Sequence, residues 1–234
     1  MAKLTFNDFE NFFKYYKSES QQQAGIRILY DQMRDVLKDD AHDWIRTYRE
    51  KPEVTSSNPL NVPYQSQNDN ASGTGYRECF SSSCAMVAMY YGKIENDDAY
   101  NLVRQKYGDS TDAQAQVRAL RSLGLEANFI SNGSTSDLKA AIDAGRPIPV
   151  GWLHHGSASA PSGGGHYSVV MGYTDDAWIM NDPNGEASLS SGGYTDNLDG
   201  YNQSYSFKNW NPRWIVEGEG SGWYMDVSDP TAKK

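Results

Sequence analysis

Cys79 is the residue of this sequence best suited to nucleophilic chemistry. It is followed by three serines and an apolar pattern of helical spacing, in the segment ECFSSSCAMVAMYYG. At a helix N-terminus, free backbone N–H groups and the helix dipole stabilise a thiolate. Cys84 lies more than a turn further along, where a thiol packs like a small hydrophobic side chain. Five residues of helix rise about 7.5 Å, beyond the roughly 7 Å that a disulfide spans, so we expect two free thiols.

A thiolate nucleophile requires a base that shares its proton and a group that orients the base. His166 follows the segment PSGGG and begins the run HYSVVMGY, and Asp182 ends the next strand-like run in the turn NDPNGE. Residues 174–176 predict a hairpin between the two runs, and antiparallel pairing would place Asp182 beside the start of the strand of His166. The spacing therefore predicts a triad of Cys79, His166 and Asp182.

Spacing alone leaves other interpretations of these residues open. A histidine at a strand start is often a surface or packing residue, and Asp-Pro-Asn-Gly forms a good turn in its own right. His154 and His155 are competing bases, whereas His42 is expected to be exposed to solvent. The choice among them depends on where the fold places each imidazole.

Aromatic residues are frequent in the second half of the chain and could line a substrate groove. Aromatic faces bind extended peptides and the apolar faces of sugars. The predicted substrate-binding residues are Trp152, His155, Trp178 and Trp210, and Trp214 and Trp223 belong to the same aromatic set. The alternative is that the tryptophans form the aromatic core of a sheet. Residues 187–212 predict a long loop, a feature that is uncommon unless functional.

Metal and nucleotide chemistry have little support in the sequence. The two cysteines form no CxxC pair, and there is no GxSxG, Walker-type or HExxH motif. Asp196, Asp199 and Asn202 offer oxygen ligands for calcium, but they do not follow the EF-hand spacing. We therefore expect a polar loop there, and neither a metal nor a cofactor.

The charge balance narrows the classes of partner. The 234 residues include 21 Lys and Arg against 30 Asp and Glu, a formal charge of −9, which disfavours nucleic acids and anionic membranes. The apolar stretch 84–91 is shorter than the roughly 18 residues of a membrane span. The N-terminus MAKLTFNDFENFF lacks the pattern of a secretory signal. We expect a monomer that is made in the cytoplasm and does not insert into membranes.

The order of the predicted elements indicates an α+β fold. Residues 1–51 predict a small N-terminal helical element, 52–61 a linker, 62–228 the catalytic domain and 229–234 a tail. The predicted helices of the domain are 81–91, 97–107, 111–123 and 136–144, and the predicted strands are 148–153, 167–173, 177–181, 213–216 and 223–227. Helices precede most strands, which favours α+β over alternating βαβ units.

Four motifs occur in an order that resembles a known family. The segments VPYQSQ, ECFSSSCAMVAMYYG, GHYSVVMGY and NDPNG, within residues 62–227, are similar to those of papain-like cysteine peptidases related to the bacteriocin-leader-processing (double-glycine) peptidases. The resemblance implies a papain-like fold, with Cys79 as nucleophile, His166 as base and Asp182 as orienting residue. It further implies that Gln67 and the Cys79 N–H bind the oxyanion.

The chain departs from that family pattern in two places. Those peptidases usually have Gly-Pro after the cysteine, where this chain has Phe80 and Ser81. The segment NDNASGTGYRE separates Gln67 from Cys79, which leaves Gln65 as an alternative oxyanion donor.

The chain as a whole resembles endolysins and peptidase-like proteins of tailed bacteriophages. That resemblance implies a peptidase or amidase that cleaves peptide bonds of bacterial peptidoglycan during cell lysis, and so acts at the cell wall. Two alternatives stay open: a processing peptidase that cuts a Gly-rich leader or a virion protein, and a non-catalytic binding module on the same fold.

Overall fold

A computed structural model describes residues 58–231 of the chain. The helices are α1 Cys79–Tyr90, α2 Asp97–Arg104, α3 Ala113–Ser122, α4 Thr135–Asp143 and α5 Phe207–Trp214. The strands are β1 Glu126–Gly133, β2 Ile148–Trp152, β3 His166–Tyr173, β4 Ala177–Asn181, β5 Glu186–Ala187, β6 Tyr194–Asp196, β7 Gln203–Ser206 and β8 Gly222–Ser228. Two short 3₁₀ turns, Gln67–Asp69 and Gly75–Arg77, precede α1.

Six strands form one sheet in the order β1-β8-β2-β3-β4-β7, and each neighbouring pair is antiparallel. Helix α1 packs against β2 and β3, and α3 packs against β1. Strands β5 and β6 form a separate two-stranded ribbon. The α+β prediction with an antiparallel sheet is confirmed.

Helix α1 is apolar or small on all sides, which is typical of a buried helix. Its residues 80–88 are all buried. The other helices in the first half of the fold begin at polar capping residues: Asn96 caps α2, Asp112 caps α3, and Ser134 forms a capping box with Asp137 at α4. The sequence predicted all four of these helices, because the residue patterns that define them are local.

Two predictions in the C-terminal part of the fold are wrong. The strand predicted at 213–216 overlaps the end of α5, in which Trp210, Arg213 and Trp214 lie at helical spacing and are buried. The long loop predicted at 187–212 contains β6, β7 and the start of α5. Strand β1 was not predicted. The short strands β6 and β7 show no clear alternation of apolar and polar residues, so their formation depends on pairing with neighbouring strands.

The predicted N-terminal element and most of the predicted linker lie outside the described residues. The described end of that linker is packed against β3: the Leu60 N–H donates to the Met171 carbonyl at 2.7 Å, and Asn58 exchanges two hydrogen bonds with the backbone of Tyr173. The domain boundaries stay predictions. Among residues 58–231, no helix combines the length and the apolar character needed to cross a bilayer.

Candidate active site

His166 and Asp182 form a buried hydrogen-bonded pair at one end of the sheet. His166 begins β3 and Asp182 directly follows β4, the antiparallel neighbour of β3. The His166 Nε2 lies 2.7 Å from the Asp182 Oδ1, and the two residues are 4% and 0% exposed. The hairpin closes where the Thr174 N–H donates to the Ala177 carbonyl at 2.8 Å. The predicted pairing of the two residues is therefore confirmed.

Several groups fix the Asp182 carboxylate besides His166. The Tyr205 hydroxyl donates to Oδ2 at 3.1 Å, the Asn184 N–H donates to Oδ1 at 3.0 Å, and the Tyr194 hydroxyl lies 3.3 Å from Oδ1. The backbone N–H of Asp182 donates to the Gly200 carbonyl at 2.7 Å. A buried carboxylate with this many donors is held in one orientation.

Cys79 lies at the start of α1, and its thiol is close enough to the His166 ring to affect the pKa of that ring. Because Nε2 is bonded to Asp182, Nδ1 is the ring nitrogen available to the thiol. Burial opposes protonation of His166, but the charges of Asp182 and Cys79, together with their hydrogen bonds, raise its pKa to about 10. The arrangement therefore favours the protonated form of the His166 ring.

The two cysteines occupy different environments, as predicted. Cys79 is partly exposed and Cys84 is fully buried, and both are free thiols. Burial raises the pKa of the Cys84 thiol, and its hydrogen bond with Tyr100 only partly opposes this. Phe80, which follows Cys79, is buried and stacks on Tyr167 with ring centroids 3.6 Å apart. Its ring therefore fills space between α1 and β3.

Gln67 lies next to the start of α1 although eleven residues separate it from Cys79. The carbonyl of Gly75 accepts hydrogen bonds from the Gln67 Nε2 and from the Glu78 N–H, each at 2.9 Å. The Gln67 amide is thereby held one residue away from Cys79. The Gln65 amide is engaged elsewhere, since it donates to the Tyr64 carbonyl and accepts from the Asp97 N–H. Both amides therefore have protein partners, and Gln67 is the one joined through Gly75 to the residue before Cys79.

The competing bases lie beside the pair and do not replace His166. The His154 ring centroid is 5.4 Å from that of His166. Burial, and then the charges of His166 and His155, lower the pKa of His154 to about 4, so this ring is neutral near pH 7. His155 is exposed, and its ring lies 3.9 Å from that of His154. His42 lies outside the described residues.

The prediction that Trp152, Trp178 and Trp210 line a substrate groove is wrong, because all three are fully buried. Trp152 donates to the Ser168 hydroxyl at 3.0 Å, and Trp178 donates to the Asn211 amide oxygen at 2.8 Å. The tryptophans form the aromatic core between the sheet and α5. Trp214 is buried as well, and Trp223 is partly buried.

Trp152 still contributes to the site indirectly. Its ring lies edge-on to His166, with centroids 5.5 Å apart, and it also contacts Tyr205. Tyr194 and Tyr205 were missed by sequence reasoning, because only the fold brings these tyrosines of the predicted loop to Asp182. For the residues described, no group of three metal-ligating side chains converges at one point, and the acidic loop around Asp199 is no exception.

No curated protein matches the chain. Among solved structures, the peptidase domain of Streptococcus ComA, a bifunctional ABC transporter of a quorum-sensing pathway, is 21% identical, with a TM-score of 0.45, over 65% of this chain and 92% of that chain. A double glycine motif protease from an AMS/PCAT transporter, solved with its leader peptide, is 20% identical, with a TM-score of 0.42, over 73% and 93%. A C39-like peptidase from Bacillus anthracis is 16% identical, with a TM-score of 0.46, over 73% and 97%.

The model of one family matches more than half of the chain. The match extends over residues 59–213 and includes every predicted catalytic residue. With a cysteine and a histidine–aspartate pair at its centre, the chain belongs to the Peptidase C39-like family of cysteine peptidases.

Proposed function

We propose that Cys79 is the nucleophile, His166 the acid and base, and Asp182 the residue that orients His166. The observation that carries this proposal is the position of the His166 ring, which is bonded to Asp182 through Nε2 and borders the Cys79 thiol. A base held from both sides is the arrangement that an activated thiolate requires.

In the proposed reaction, the Cys79 thiolate attacks the carbonyl carbon of an amide, and its electron pair forms the new C–S bond. The carbonyl oxygen becomes an oxyanion, which accepts hydrogen bonds from the Gln67 amide and the Cys79 N–H. When the tetrahedral intermediate collapses, the C–N bond breaks and the His166 imidazolium protonates the leaving amine. A thioester of Cys79 and a free amine result.

Hydrolysis of the thioester completes the cycle. Neutral His166 takes a proton from water, and the resulting hydroxide attacks the thioester carbonyl. Collapse of this second intermediate breaks the C–S bond, releases the carboxylic acid and restores the thiolate–imidazolium pair. The Asp182 side chain orients His166 and stabilises the imidazolium throughout. All groups in these steps belong to residues 67–182 of this chain.

We propose peptidoglycan as the substrate class, through its stem or cross-link peptides, cleaved in phage-driven lysis or entry. The resemblance of the chain to phage endolysins supports this assignment. The rings of His154 and Tyr194 lie 5.4 and 5.6 Å from that of His166. Such crowding favours small residues at the scissile bond, and alanine and glycine are the small residues of these peptides. On this proposal the protein is made in the cytoplasm and acts at the cell wall.

The negative charge of the chain bears on how it reaches that substrate. Wall polymers are themselves often anionic, so long-range attraction does not assist an acidic protein. Recognition then depends on short-range contacts near the site, and raising the salt concentration should not reduce the rate.

The test is mass spectrometry of purified Gram-negative sacculi after incubation with the intact protein or with Cys79→Ala. New muropeptides that appear only with the intact protein are expected, and their masses identify the bond. Unchanged sacculi would overturn the peptidoglycan assignment. A Gly-rich leader peptide in a parallel incubation distinguishes the remaining cases: cleavage would indicate a processing peptidase, and binding without cleavage would indicate a non-catalytic module.

A further inference from the structure

Glu78 is a buried carboxylate directly before the candidate nucleophile. Glu78 is only 2% exposed to solvent. Its carboxylate accepts hydrogen bonds from Asn70 Nδ2 at 2.7 Å, from the Ser72 and Thr74 hydroxyls at 2.8 Å each, and from Asn101 Nδ2 at 3.2 Å. Four neutral donors on one buried carboxylate are an unusually complete set, and the catalytic steps above do not use Glu78.

The same contacts keep Glu78 ionised. Burial alone would raise its pKa, but the hydrogen bonds from Asn70, Thr74 and Ser72 and the charge of Arg104 lower it below the ordinary value. The Arg104 guanidinium lies 4.0 Å from the carboxylate. Glu78 therefore carries a negative charge across the neutral range, and each donor points at a charged acceptor, which makes these bonds stronger than neutral ones.

Three of the four donors come from the segment that separates Gln67 from Cys79. Residues 70–74 fold around the Glu78 carboxylate, and the following Gly75 carbonyl accepts from both the Gln67 amide and the Glu78 N–H. A Cβ at Gly75 would overlap the carbonyl oxygen of Gln67, so the two parts of the segment are in direct contact. The segment between Gln67 and Cys79 therefore forms a compact loop that surrounds the Glu78 carboxylate.

The Glu78 side chain occupies the position of a helix cap without acting as one. It precedes α1 but makes no capping hydrogen bond to that helix. A capping carboxylate would occupy the free N–H groups of the first turn and would repel an oxyanion there. Because the carboxylate is held by the 70–74 segment and Asn101, it leaves those N–H groups unoccupied.

We propose that Glu78 is a positioning residue that holds the Gln67 amide and the Cys79 N–H at the spacing required for the oxyanion. This inference rests on the proposed function. This role also explains how the fold holds the segment between Gln67 and Cys79, since polar side chains of that segment donate hydrogen bonds to the Glu78 carboxylate. Misplacement of oxyanion donors lowers turnover more than substrate binding, because the donors act on charge that develops in the transition state.

The test is Glu78→Gln, which keeps the shape but removes the charge and brings an NH₂ group against the Asn70 amide. Tyr100→Phe is the matched control, because it removes the buried hydrogen bond from Tyr100 to Gln116, which contacts α1 through Ser81 and not the 70–74 segment. We expect kcat on a cleaved peptide to fall about 10- to 100-fold in Glu78→Gln. The KM and the rate of Cys79 alkylation by iodoacetamide should stay within about twofold.

Each alternative outcome is informative. A kcat within twofold of the intact protein, or an equal loss in Tyr100→Phe, would overturn the inference, since a merely structural role affects both variants alike. If Glu78→Gln does not fold, the double variant Ser72→Ala with Thr74→Ala removes two donors and leaves the charge in place. It is expected to show a smaller loss of kcat with unchanged alkylation, and a kcat unchanged in that variant would overturn the inference.

Failure of the proposed function gives a different result. If the intact protein cleaves no peptide, amide hydrogen exchange of residues 67–79 still tests whether Glu78 holds this segment in place. Faster exchange of this segment in Glu78→Gln than in Tyr100→Phe would support Glu78 as its anchor while the catalytic proposal falls. Equal exchange in the two variants would overturn the inference as well.

Discussion

The two halves of the candidate site are held in place by different means. His166 and Asp182 lie at the ends of paired strands, where ladder hydrogen bonds between β3 and β4 set their register. Cys79 and Gln67 depend on two 3₁₀ turns and on side-chain hydrogen bonds around Glu78. The base is therefore placed by repeated backbone pairing, and the nucleophile and oxyanion donors by a small number of polar contacts.

The interiors behind the two halves differ in the same way. Trp152 and Tyr205 pack behind the His166 and Asp182 pair, and both are buried in the aromatic core. Near the Cys79 half, the buried groups include the charged side chains of Glu78 and Asp97 beside the apolar residues of α1. Apolar packing tolerates small changes of angle, whereas a buried hydrogen-bond network loses much of its energy when one partner is removed. We therefore expect the two halves to respond differently to substitution.

The largest expected effect distinguishes the two cysteines of α1. Cys79→Ala should lower kcat/KM by roughly 10³-fold or more, because the nucleophile is lost. Cys84→Ser should keep turnover within a fewfold and lower the free energy of unfolding by about 1 to 3 kcal/mol, because a hydroxyl replaces a buried thiol. Peptide cleavage assays and urea unfolding measure both.

Iodoacetamide labelling supplies the control for that comparison. Cys79 should react much faster than Cys84 near pH 7, since it is partly exposed and lies beside His166, whereas Cys84 is buried. Equal slow rates at both thiols, or loss of turnover in Cys84→Ser with retention in Cys79→Ala, would contradict the assignment of the nucleophile.

An intermediate effect is expected from two matched glycine substitutions, one in each half. A Cβ at Gly75 would overlap the Gln67 carbonyl oxygen, and a Cβ at Gly200 would overlap the Asp182 carbonyl oxygen. Gly75→Ala and Gly200→Ala should each lower kcat about 10- to 100-fold, because a misplacement of about 1 Å has that cost.

The pH profile of Cys79 alkylation separates these two variants. Gly200→Ala should shift the profile, because displaced Asp182 no longer supports the His166 charge. Gly75→Ala should leave it unchanged, because the oxyanion donors do not act on the resting thiolate. A shift in both variants would show that the two halves are not independent, and a shift in neither would contradict the support that Asp182 gives to the His166 charge.

The smallest expected effect is on how the free energy of unfolding depends on pH. The pKa of His166 is about 10 in the folded protein against an ordinary value of 6.5, so the folded state binds this proton more tightly. The resulting stabilisation is fully present below about pH 6.5 and is lost as the pH rises toward 10. In Asp182→Asn, the decrease in the free energy of unfolding as the pH rises should be smaller by roughly 2 kcal/mol. Denaturant unfolding of both proteins at pH 6, 8 and 10 measures the difference. The same pH dependence of the free energy of unfolding in both would contradict an ion pair between His166 and Asp182.

The sheet half was predictable from sequence because its information is local. The runs that became β3 and β4 are separated by a three-residue hairpin, so antiparallel pairing alone brings Asp182 beside His166. The helix beside Cys79 was predictable for the same reason, although it was predicted over 81–91 and begins at Cys79. The tryptophans were misassigned because residue type does not tell an aromatic core from an aromatic groove, and the structure buries Trp152, Trp178 and Trp210 completely.

The sequence by itself determined which side chains can do the chemistry and the α+β order of the elements that carry them. Only the tertiary structure decided that Tyr205, from β7, contacts Asp182, and that Asn101, from α2, contacts Glu78. Both are contacts across 23 residues of chain. Local periodicity specifies a helix or a strand, but it carries no information on which distant polar group will satisfy a buried carboxylate, because that depends on how the elements pack.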